Sequence, residues 1–295
     1  MTDVVIFGAG GQLGRELELT QPSACRAVYV TRAEVDIANA KQLTACLDDT
    51  NPSTIINAAA YTAVDRAEEE AEQAEAANAT GPRNLAAWAA GSGARLIHIS
   101  TDFVFDGSAG EPYKPTDEPR PLGVYGKTKL EGERAVLDAD AGHIVLRTGW
   151  VYSRHGGNFV KTMLRLMQER EQLSVVEDQI GTPTWARELA SVCWALRDNT
   201  ACSGIYHWSD SGACSWFDFA LAIQEEALTL GLIEKRATVL PIPAREYPTP
   251  ATRPSYSVLD KTDTRAALGY SGRPWRHALR DMLVDMKHTN EDQNT

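Results

Sequence analysis

Tyr125 and Lys129 stand four residues apart in the segment Tyr-Gly-Lys-Thr-Lys that spans positions 125–129. On a helix, this spacing places the phenol and the ammonium group on the same face. Free tyrosine loses its proton at about pH 10, and a neighbouring ammonium group favours the phenolate and lowers that pKa. The pair therefore predicts a tyrosine that donates a proton, with Lys129 as its partner.

Two hydroxyl residues, Ser100 and Thr101, precede this pair at the end of a predicted strand over residues 95–99. A hydroxyl group at that edge can hydrogen-bond to a substrate carbonyl group and to the tyrosine oxygen together. The third candidate catalytic group is therefore a hydroxyl of this pair. Asp102 follows Thr101, and the sequence leaves open whether its carboxylate is functional or caps the loop.

A glycine-rich turn, with glycines at 8, 11 and 14, follows a predicted strand at residues 4–7 and opens a helix. Glycines there let the backbone approach a pyrophosphate closely, and the helix N-terminus offers free N–H groups to it. This arrangement predicts a dinucleotide site.

Arg32 stands after the second strand, where NAD-selective folds carry an acidic residue. Its guanidinium group favours the 2′-phosphate of NADPH, with NADH also accepted, although a solvated surface arginine is the alternative.

Predicted strands alternate with predicted helices over the first half of the chain. The strands are residues 4–7, 27–31, 54–57, 95–99 and 143–147. The helices are residues 12–20, 40–47, 68–79, 82–91, 125–137, 158–170, 187–197, 215–230 and 274–286. This order predicts an α/β fold, with a doubly wound parallel-sheet Rossmann domain and a smaller α/β substrate-binding domain. The predicted NAD(P)-binding domain is residues 1–149. Residues 150–295 form mainly the substrate domain, with some segments crossing back, and the polar residues 288–295 are expected to fray.

Charge and composition exclude several kinds of partner. The 295 residues carry a net charge of −11, which argues against nucleic acid and anionic membranes. No apolar run approaches the roughly 20 residues of a membrane span, and we expect no signal peptide. The five cysteines are scattered without a CxxC pair, which favours reduced thiols and a cytoplasmic protein.

These motifs together resemble the extended short-chain dehydrogenase/reductase superfamily. Longer strings in both halves resemble, more specifically, the dTDP-4-dehydrorhamnose reductase family. These strings are residues 11–17, 57–65, 100–107, 124–129, 147–152, 158–163, 178–183 and 247–250. The resemblance implies reduction of the C4 ketone of dTDP-4-dehydro-L-rhamnose to dTDP-L-rhamnose, with Tyr125, Lys129 and Thr101 as the catalytic residues.

The predicted site residues follow from the motifs and this resemblance together. For the cofactor they are Gly8, Gly11, Gln12, Leu13, Gly14, Arg32, Asp36, Ile37, Ala60, Tyr61, Thr62, Tyr125 and Lys129. For the dTDP-4-keto-6-deoxy sugar nucleotide they are Thr101, Asp102, Trp150, Asn158 and Arg253. Trp150 has the alternative of a core aromatic residue. Where the family commonly has Thr-Ser-Trp, this chain has Gly149 in place of the serine, which we expect to affect only a minor contact.

The resemblance also implies a homodimer in some members, assisted by Mg²⁺. Glu16 is the candidate ligand, but a single carboxylate does not make a magnesium site, and no metal residue is predicted.

The motifs also bear on which reaction the protein catalyses. Dehydration is disfavoured because Phe103 follows Asp102, where the dehydratases have a second carboxylate. Three alternatives stay open: a reductase giving a 6-deoxy-talose product, C4 epimerisation, which the second-half strings disfavour, and a non-catalytic NADP-binding regulatory subunit.

Overall fold

The computed structural model describes residues 2–293 and contains twelve strands and eleven α-helices within that range. The strands are β1 Val4–Phe7, β2 Ala27–Val30, β3 Thr54–Asn57, β4 Arg95–Thr101, β5 Ile144–Thr148, β6 Val151–Tyr152, β7 Gln172–Val176, β8 Ile180–Gly181, β9 Thr184–Trp185, β10 Gly204–His207, β11 Cys214–Ser215 and β12 Thr238–Ile242. The helices are α1 Gln12–Leu19, α2 Ala40–Thr50, α3 Val64–Ala67, α4 Ala71–Glu75, α5 Gly81–Ser92, α6 Val124–Ala139, α7 Phe159–Glu169, α8 Ala186–Asp198, α9 Trp216–Leu230, α10 Thr262–Leu268 and α11 Trp275–Gln293.

A six-stranded parallel sheet forms the centre of the molecule, with the strand order β10-β5-β4-β3-β1-β2. Strand β1 is buried along its whole length, as a strand covered by helices on both faces must be. The chain leaves β1 toward β2 on one side and toward β3 on the other. Ligands of such sheets bind at this reversal, outside the carboxyl ends of the strands. The predicted doubly wound α/β fold is confirmed.

Two apolar layers cover the sheet, and the alternation of side chains along β1 separates them. Val4 and Ile6 pack in the layer that contains α1 and α8. Val5 and Phe7 pack in the layer that contains α2 and α5. Packing on both faces of the sheet therefore holds the carboxyl ends of β1, β3 and β4 side by side.

A second apolar core lies outside the sheet, between α7, α9, α11 and β7. Met167, Ile223, Leu279 and Met282 are fully buried in it. Strand β12 pairs with β7 in parallel to make a separate two-stranded sheet. This core consists of residues from the second half of the chain, and the division into two domains stays a prediction.

The second half also returns to the central sheet. Strand β10 pairs with β5, and α8 packs in the same layer as α1. The pairings of β6 with β9, of β8 with β11 and of β7 with β12 were not predicted, since two of them join strands of only two residues.

The structure differs from the predicted helices in two places. Residues 68–79 do not form one helix, because α3 and α4 are separate and a π-helical turn, Ala76–Thr80, follows α4. The last helix does not end near residue 286 but continues to Gln293, so the expectation of a frayed segment is wrong for residues 288–293. Residues 294 and 295 lie outside the described residues. Between residues 2 and 293, no helix has the length and apolar character needed to span a bilayer.

Candidate active site

The glycine-rich turn at residues 8–14, here called the glycine cradle, lies between the ends of β1 and β3. Gly8 has a φ of +86°, and a Cβ atom there would lie 2.6 Å from the backbone of Ala58. A Cβ atom on Gly14 would overlap the carbonyl oxygen of Gly8. Helix α1 begins after Gly11, and no side chain caps its N-terminus. The glycines at 8 and 14 therefore let the turn pack closely against the loop after β3 and against α1. The N-terminus of α1 offers uncapped N–H groups to a pyrophosphate, so these residues fit a dinucleotide.

The next two predicted cofactor residues connect the cradle to the rest of the protein. Leu13 is buried in the core layer beneath the sheet. The amide oxygen of Gln12 accepts a hydrogen bond of 2.8 Å from the amide of Asn158. Asn158 also caps α7 by accepting from the N–H of Lys161. The structure thus places Asn158 beside the cradle, and its contact with the substrate stays a prediction.

Arg32 is exposed after β2. Its neighbour Glu34 accepts from both the N–H and the hydroxyl group of Thr31, at 2.7 Å each. Within residues 2–293 the guanidinium group of Arg32 forms no hydrogen bond or ion pair. Asp36 accepts from the N–H of Ala38 at 3.0 Å. The cation is therefore available to a phosphate at the edge of the site.

Ile37 lies in the core rather than in an open cleft. It is buried, and a Cβ atom on Gly81 would lie 2.5 Å from its side chain. Its contact with the cofactor stays a prediction. The neighbouring loop after β3 is more open, because Ala60 and Thr62 are both exposed.

Tyr61, in that loop, is held by two residues whose roles were not predicted. Its hydroxyl group donates to Glu70 at 2.7 Å. Its N–H donates to the side-chain oxygen of Asn78 at 2.8 Å, and its carbonyl oxygen accepts from the same amide at 3.1 Å. Asn78 lies in the π-helical turn, and its amide also reaches Thr128 of α6 at 3.3 Å. Asn78 therefore fixes the loop after β3 to the helix that carries Tyr125.

Tyr125 is partly buried near the start of α6, with Phe103 against its ring edge at 5.6 Å between centroids. Burial raises the pKa of Tyr125 to about 12, and a hydrogen bond with Thr101 offsets part of this rise. The charge of Asp102 raises the pKa further. The expectation that Lys129 lowers the pKa of the phenol is wrong for this arrangement. The phenol is protonated throughout the neutral range and is thus a proton donor.

Lys129 is buried, and its Nζ atom lies against β4. Its Nζ atom donates to the carbonyl oxygen of Ile99 at 2.6 Å and lies 3.4 Å from Nε2 of His98. Burial lowers the pKa of Lys129 to about 8, against the opposing effect of the Glu133 carboxylate. Lys129 therefore titrates much closer to neutrality than a solvated lysine.

The two adjacent hydroxyl residues at the end of β4 have different environments. Ser100 donates to the buried carboxylate of Glu133, which also forms a bidentate pair with Arg147 at 2.7 and 2.9 Å. The hydroxyl group of Ser100 is therefore already engaged in a hydrogen bond with Glu133. Thr101 lies beside Tyr125, and its hydroxyl group donates to Asp102 at 3.1 Å. The structure thus supports Thr101 rather than Ser100 as the hydroxyl group of the site.

Asp102 is almost fully buried, and its surroundings explain the glycine that departs from the family pattern. Burial raises the pKa of Asp102 to about 6, although hydrogen bonds with Ser257 and Thr101 lower it. A Cβ atom on Gly149 would lie 2.6 Å from the Asp102 carboxylate. A serine at this position would force the carboxylate to move, and the expectation that the absent serine hydroxyl affects only a minor contact stays a prediction.

An open cavity of about 790 Å³ lies beside β7 in the second lobe. Its lining residues combine apolar and aromatic side chains with a few charged groups: Asp65, Phe159, Thr162, Met163, Leu166, Arg170, Gln172, Leu173, Ser174, Val175, Val176, Gln179, Trp216, Ile242, Glu246, Tyr247, Thr249 and Arg253. Such a mixture suits an organic ligand that carries a few charged groups. We call this space the β7 cavity.

Trp150 adjoins this region and is partly buried. It has a φ of +50° and stacks on Trp216 at 3.4 Å between ring centroids, nearly parallel at 3°. A Cβ atom on Gly181 would lie 2.5 Å from its ring. Trp150 packs against the second core, so the aromatic-core role is real, while its contact with substrate stays a prediction.

Arg253 lies in the wall of the β7 cavity and pairs with Asp65. Its two guanidinium nitrogens donate to the two carboxylate oxygens at 2.9 and 2.7 Å. This pair holds the pKa of Asp65 below its usual value. Nη1 of Arg253 also donates to the hydroxyl group of Thr249 at 2.5 Å and to the carbonyl oxygen of Ala251 at 3.2 Å, so the plane of the guanidinium group is fixed.

Glu16 does not have the surroundings of a magnesium ligand. Its side chain is fully buried and accepts from Nε of Arg187 at 2.8 Å. The same guanidinium group donates to Asp285 at 2.7 Å. A guanidinium group therefore already bridges the two carboxylates and occupies the place of a cation there. These residues do not fit the metal.

Four residues of the site were not predicted from the sequence: Asn78, Glu133, Arg147 and Trp216. Glu133 follows Lys129 by four residues, so helical spacing could have identified it. The others act through contacts between distant segments. No local signal marks them.

The chain matches known proteins over nearly its whole length. The profile described as the RmlD substrate binding domain matches residues 1–288. A dTDP-4-dehydrorhamnose reductase of Aggregatibacter actinomycetemcomitans is 42% identical and covers 96% of this chain and 98% of its own. The crystal structure of such a reductase from Clostridium acetobutylicum has a TM-score of 0.91 and 38% identity, and covers 97% of this chain and 100% of its own. One from Bacillus anthracis in complex with NADP has a TM-score of 0.90 and 37% identity, with the same coverage.

Proposed function

The chain belongs to the dTDP-4-dehydrorhamnose reductase family, and from this premise we propose that it reduces the C4 ketone of dTDP-4-dehydro-L-rhamnose to dTDP-L-rhamnose with NADPH. One observation carries the proposal. Tyr125 and Thr101 meet in one site at the carboxyl edge of the sheet on which the glycine cradle also lies.

The cofactor residues are assigned by their positions at this edge. A bound reduced nicotinamide would supply hydride to the carbonyl carbon. The glycine cradle would hold the pyrophosphate at the N-terminus of α1. The exposed guanidinium group of Arg32 would pair with the 2′-phosphate, which makes NADPH the preferred form and NADH the weaker one.

Tyr125 would donate its proton to the C4 oxygen. Its pKa of about 12 keeps the phenol protonated at neutral pH, and the transfer is still downhill because an alkoxide is more basic than a phenolate. Thr101 lies beside the phenol and would help to hold the carbonyl oxygen in line with it. Lys129, one helical turn on, would stabilise the phenolate once its amine carries a charge.

The β7 cavity would receive the sugar nucleotide. Arg253 and Arg170 supply positive charge for the diphosphate. Apolar residues of the same cavity, such as Phe159 and Met163, provide a surface for the base. Asp102 and Trp150 would contact the sugar at the boundary with the catalytic residues.

The two-domain division at residues 149 and 150, a homodimer and a cytoplasmic location complete the proposal. The five cysteines are free, and four of them are buried, which supports a reducing compartment. The protonated phenol beside Thr101 favours an enzyme over a non-catalytic regulatory subunit. No feature of the β7 cavity favours the 6-deoxy-talose product.

The test is NADPH consumption with authentic dTDP-4-dehydro-L-rhamnose, followed by NMR of the product after complete turnover. We expect stoichiometric oxidation of NADPH and the signals of dTDP-L-rhamnose. A talose-configured product would reject the proposed stereochemistry. Tight NADPH binding without consumption would favour the regulatory role.

A further inference from the structure

Helix α6 carries three functional groups at intervals of four residues: the phenol of Tyr125, the amine of Lys129 and the carboxylate of Glu133. This spacing places all three on one face of the helix. The proposed reaction uses the first two. Lys129 and Glu133 are both almost completely buried, with 1% of each exposed. Burying a charge costs free energy unless it is paired, so the carboxylate one turn beyond the lysine must have partners and calls for a role.

The Glu133 carboxylate is held in place from two neighbouring strands. The hydroxyl group of Ser100, on β4, donates to it. The guanidinium group of Arg147, on β5, donates to its two oxygens at 2.9 and 2.7 Å. A bidentate pair with arginine requires the ionised carboxylate. Glu133 is therefore a negative charge with a fixed position.

Arg147 is in turn fixed by His207, on β10. Nδ1 of His207 lies 3.0 Å from the carbonyl oxygen of Tyr113, which can only accept, so Nδ1 carries a hydrogen. Burial and the charge of Arg147 lower the pKa of His207 to about 3, so the ring is neutral and Nε2 accepts from Nη1 of Arg147 at 3.4 Å. The ring of Phe105 also covers the guanidinium group, with 5.1 Å between Cζ and the ring centroid. The place of Arg147, and through it that of Glu133, is thus determined by several segments.

The amine of Lys129 has no carboxylate in direct contact among the described residues. Its Nζ atom donates to the carbonyl oxygen of Ile99 at 2.6 Å and lies 3.4 Å from Nε2 of His98. Ile99 and Ser100 are consecutive residues of β4, so the amine and the Glu133 carboxylate are hydrogen-bonded to neighbouring positions of one strand, about 3.3 Å apart along it. Opposite charges at such short range interact strongly in an interior that excludes water.

The other titratable groups around Lys129 do not supply this charge. His98 is neutral, because burial and the charge of Lys129 hold its pKa well below the usual value. Tyr125 is protonated, with a pKa of about 12. Asp102, after β4, faces the phenol, and its charge raises the pKa of Tyr125.

Burial lowers the pKa of Lys129 to about 8, and the Glu133 carboxylate opposes this effect. Arg147 is a cation, so of the two charges of the buried ion pair only Glu133 favours the ammonium form. A midpoint near 8 leaves Lys129 mostly charged at neutral pH. A further decrease of one or two pH units would leave it mostly neutral there.

We propose that Glu133 is a positioning residue that keeps Lys129 charged at neutral pH, with Ser100 and Arg147 fixing its carboxylate one helical turn from the amine. This inference deepens the proposed function and rests on it, since Lys129 there stabilises the phenolate of Tyr125. An uncharged amine cannot do so. Activity should therefore fall as pH rises through the pKa of Lys129.

The first test follows the side-chain ¹³Cε signal of Lys129 with pH in lysine-labelled wild-type protein without cofactor or substrate, assigned through Lys129→Met. We expect a midpoint near 8. A midpoint below neutral pH would overturn the proposal, because Lys129 would then be uncharged where the protein works.

The second test repeats this titration in a double variant, Glu133→Gln with Arg147→Met. It removes both charges of the ion pair and leaves neither of them buried alone. The midpoint of Lys129 should fall by about one pH unit or more, because the favourable charge is lost. An unchanged or higher midpoint would show that the pair does not hold the charge of Lys129, and the proposal would fail.

Arg147→Met alone is the matched control, because it differs from the double variant only at Glu133. Its midpoint for Lys129 should lie above that of the double variant by about one pH unit or more. Equal midpoints would show that the carboxylate has no effect and would reject the proposal. Lys261 is the internal control. Burial lowers its pKa to about 8 as well, and its Nζ atom donates to Ser209, far from the exchanged residues along the chain, so its midpoint should not move.

The third test is the pH dependence of kcat. Wild-type kcat should fall as pH rises through about 8, and in the double variant this fall should move to lower pH by the same interval as the midpoint of Lys129. A network that served folding alone would lower the Tm without moving the profile, and that result would overturn the role in catalysis. If the chain did not reduce the sugar nucleotide at all, the titrations would be unaffected, so the two proposals fail in different experiments.

Discussion

The glycine cradle and the β7 cavity hold their ligands by different means. The cradle consists of backbone atoms and absent side chains, as Gly8 shows by its close approach to Ala58. The cavity consists of side chains from distant parts of the chain, as the pair of Asp65 with Arg253, 188 residues apart, shows. A backbone site tolerates few substitutions at its glycines, whereas a side-chain site can be adjusted one contact at a time. We therefore expect cofactor binding and substrate binding to respond separately to mutation.

Tyr125 stands where the two regions meet, so its loss should have the largest effect. Tyr125→Phe removes the proton donor and keeps the ring that packs against Phe103. We expect kcat to fall by about 10²–10⁴-fold, with the Kd for NADPH nearly unchanged. Steady-state kinetics and fluorescence titration measure the two quantities.

The control for that experiment is Tyr29→Phe, which removes a hydroxyl group bonded to Gln21 at 2.9 Å outside the site. It should leave kcat within about twofold of wild type, because it changes no group of the catalytic set. Full activity in Tyr125→Phe would reject Tyr125 as the proton donor.

Gly8→Ala tests the cradle directly. The added Cβ atom would lie 2.6 Å from the backbone of Ala58, at a φ of +86° that alanine adopts with strain. We expect NADPH affinity to fall by roughly 100-fold, about 2.7 kcal/mol, together with a lower Tm. Calorimetric titration and thermal unfolding measure both effects.

Gly10→Ala is the matched substitution in the same turn, because a Cβ atom there meets no atom within 4 Å. Its effect on NADPH affinity should be much smaller. Equal losses in the two variants would show that the turn needs flexibility in general rather than the close approach at Gly8.

Arg253→Met tests the β7 cavity. It keeps much of the length of the side chain but removes the cation that pairs with Asp65. We expect the KM for the sugar nucleotide to rise by about tenfold while the Kd for NADPH stays constant, because a phosphate contact is lost. A parallel loss of NADPH affinity would show that the two regions are not independent.

Arg32→Ala should give the smallest change and sharpen the cofactor assignment. The guanidinium group is exposed, so its pair with a phosphate is partly screened by water. We expect the affinity for NADPH to fall by about three- to tenfold, with that for NADH unchanged. Equal effects on the two cofactors would reject a role at the 2′-phosphate.

The sequence predicted the cradle better than it predicted the cavity. The glycines and the helix after them are adjacent along the chain, so their spacing is itself the signal. Arg253 was carried over by resemblance, but its pairing with Asp65 was not predicted. Trp216 was not predicted either, because it lies against Trp150 only after the second lobe has folded.

The sequence by itself determined the alternation of strands and helices, the glycine cradle and the common helix that carries Tyr125 and Lys129. These follow from periodicity and spacing within short segments, where backbone geometry leaves few choices. The tertiary structure decided how each group behaves there. Burial raised the pKa of Tyr125 instead of lowering it, Glu133 occupied the hydroxyl group of Ser100, and Arg187 occupied the place between Glu16 and Asp285. Desolvation and long-range pairing depend on what other segments bring to a site, and spacing along the chain does not encode them.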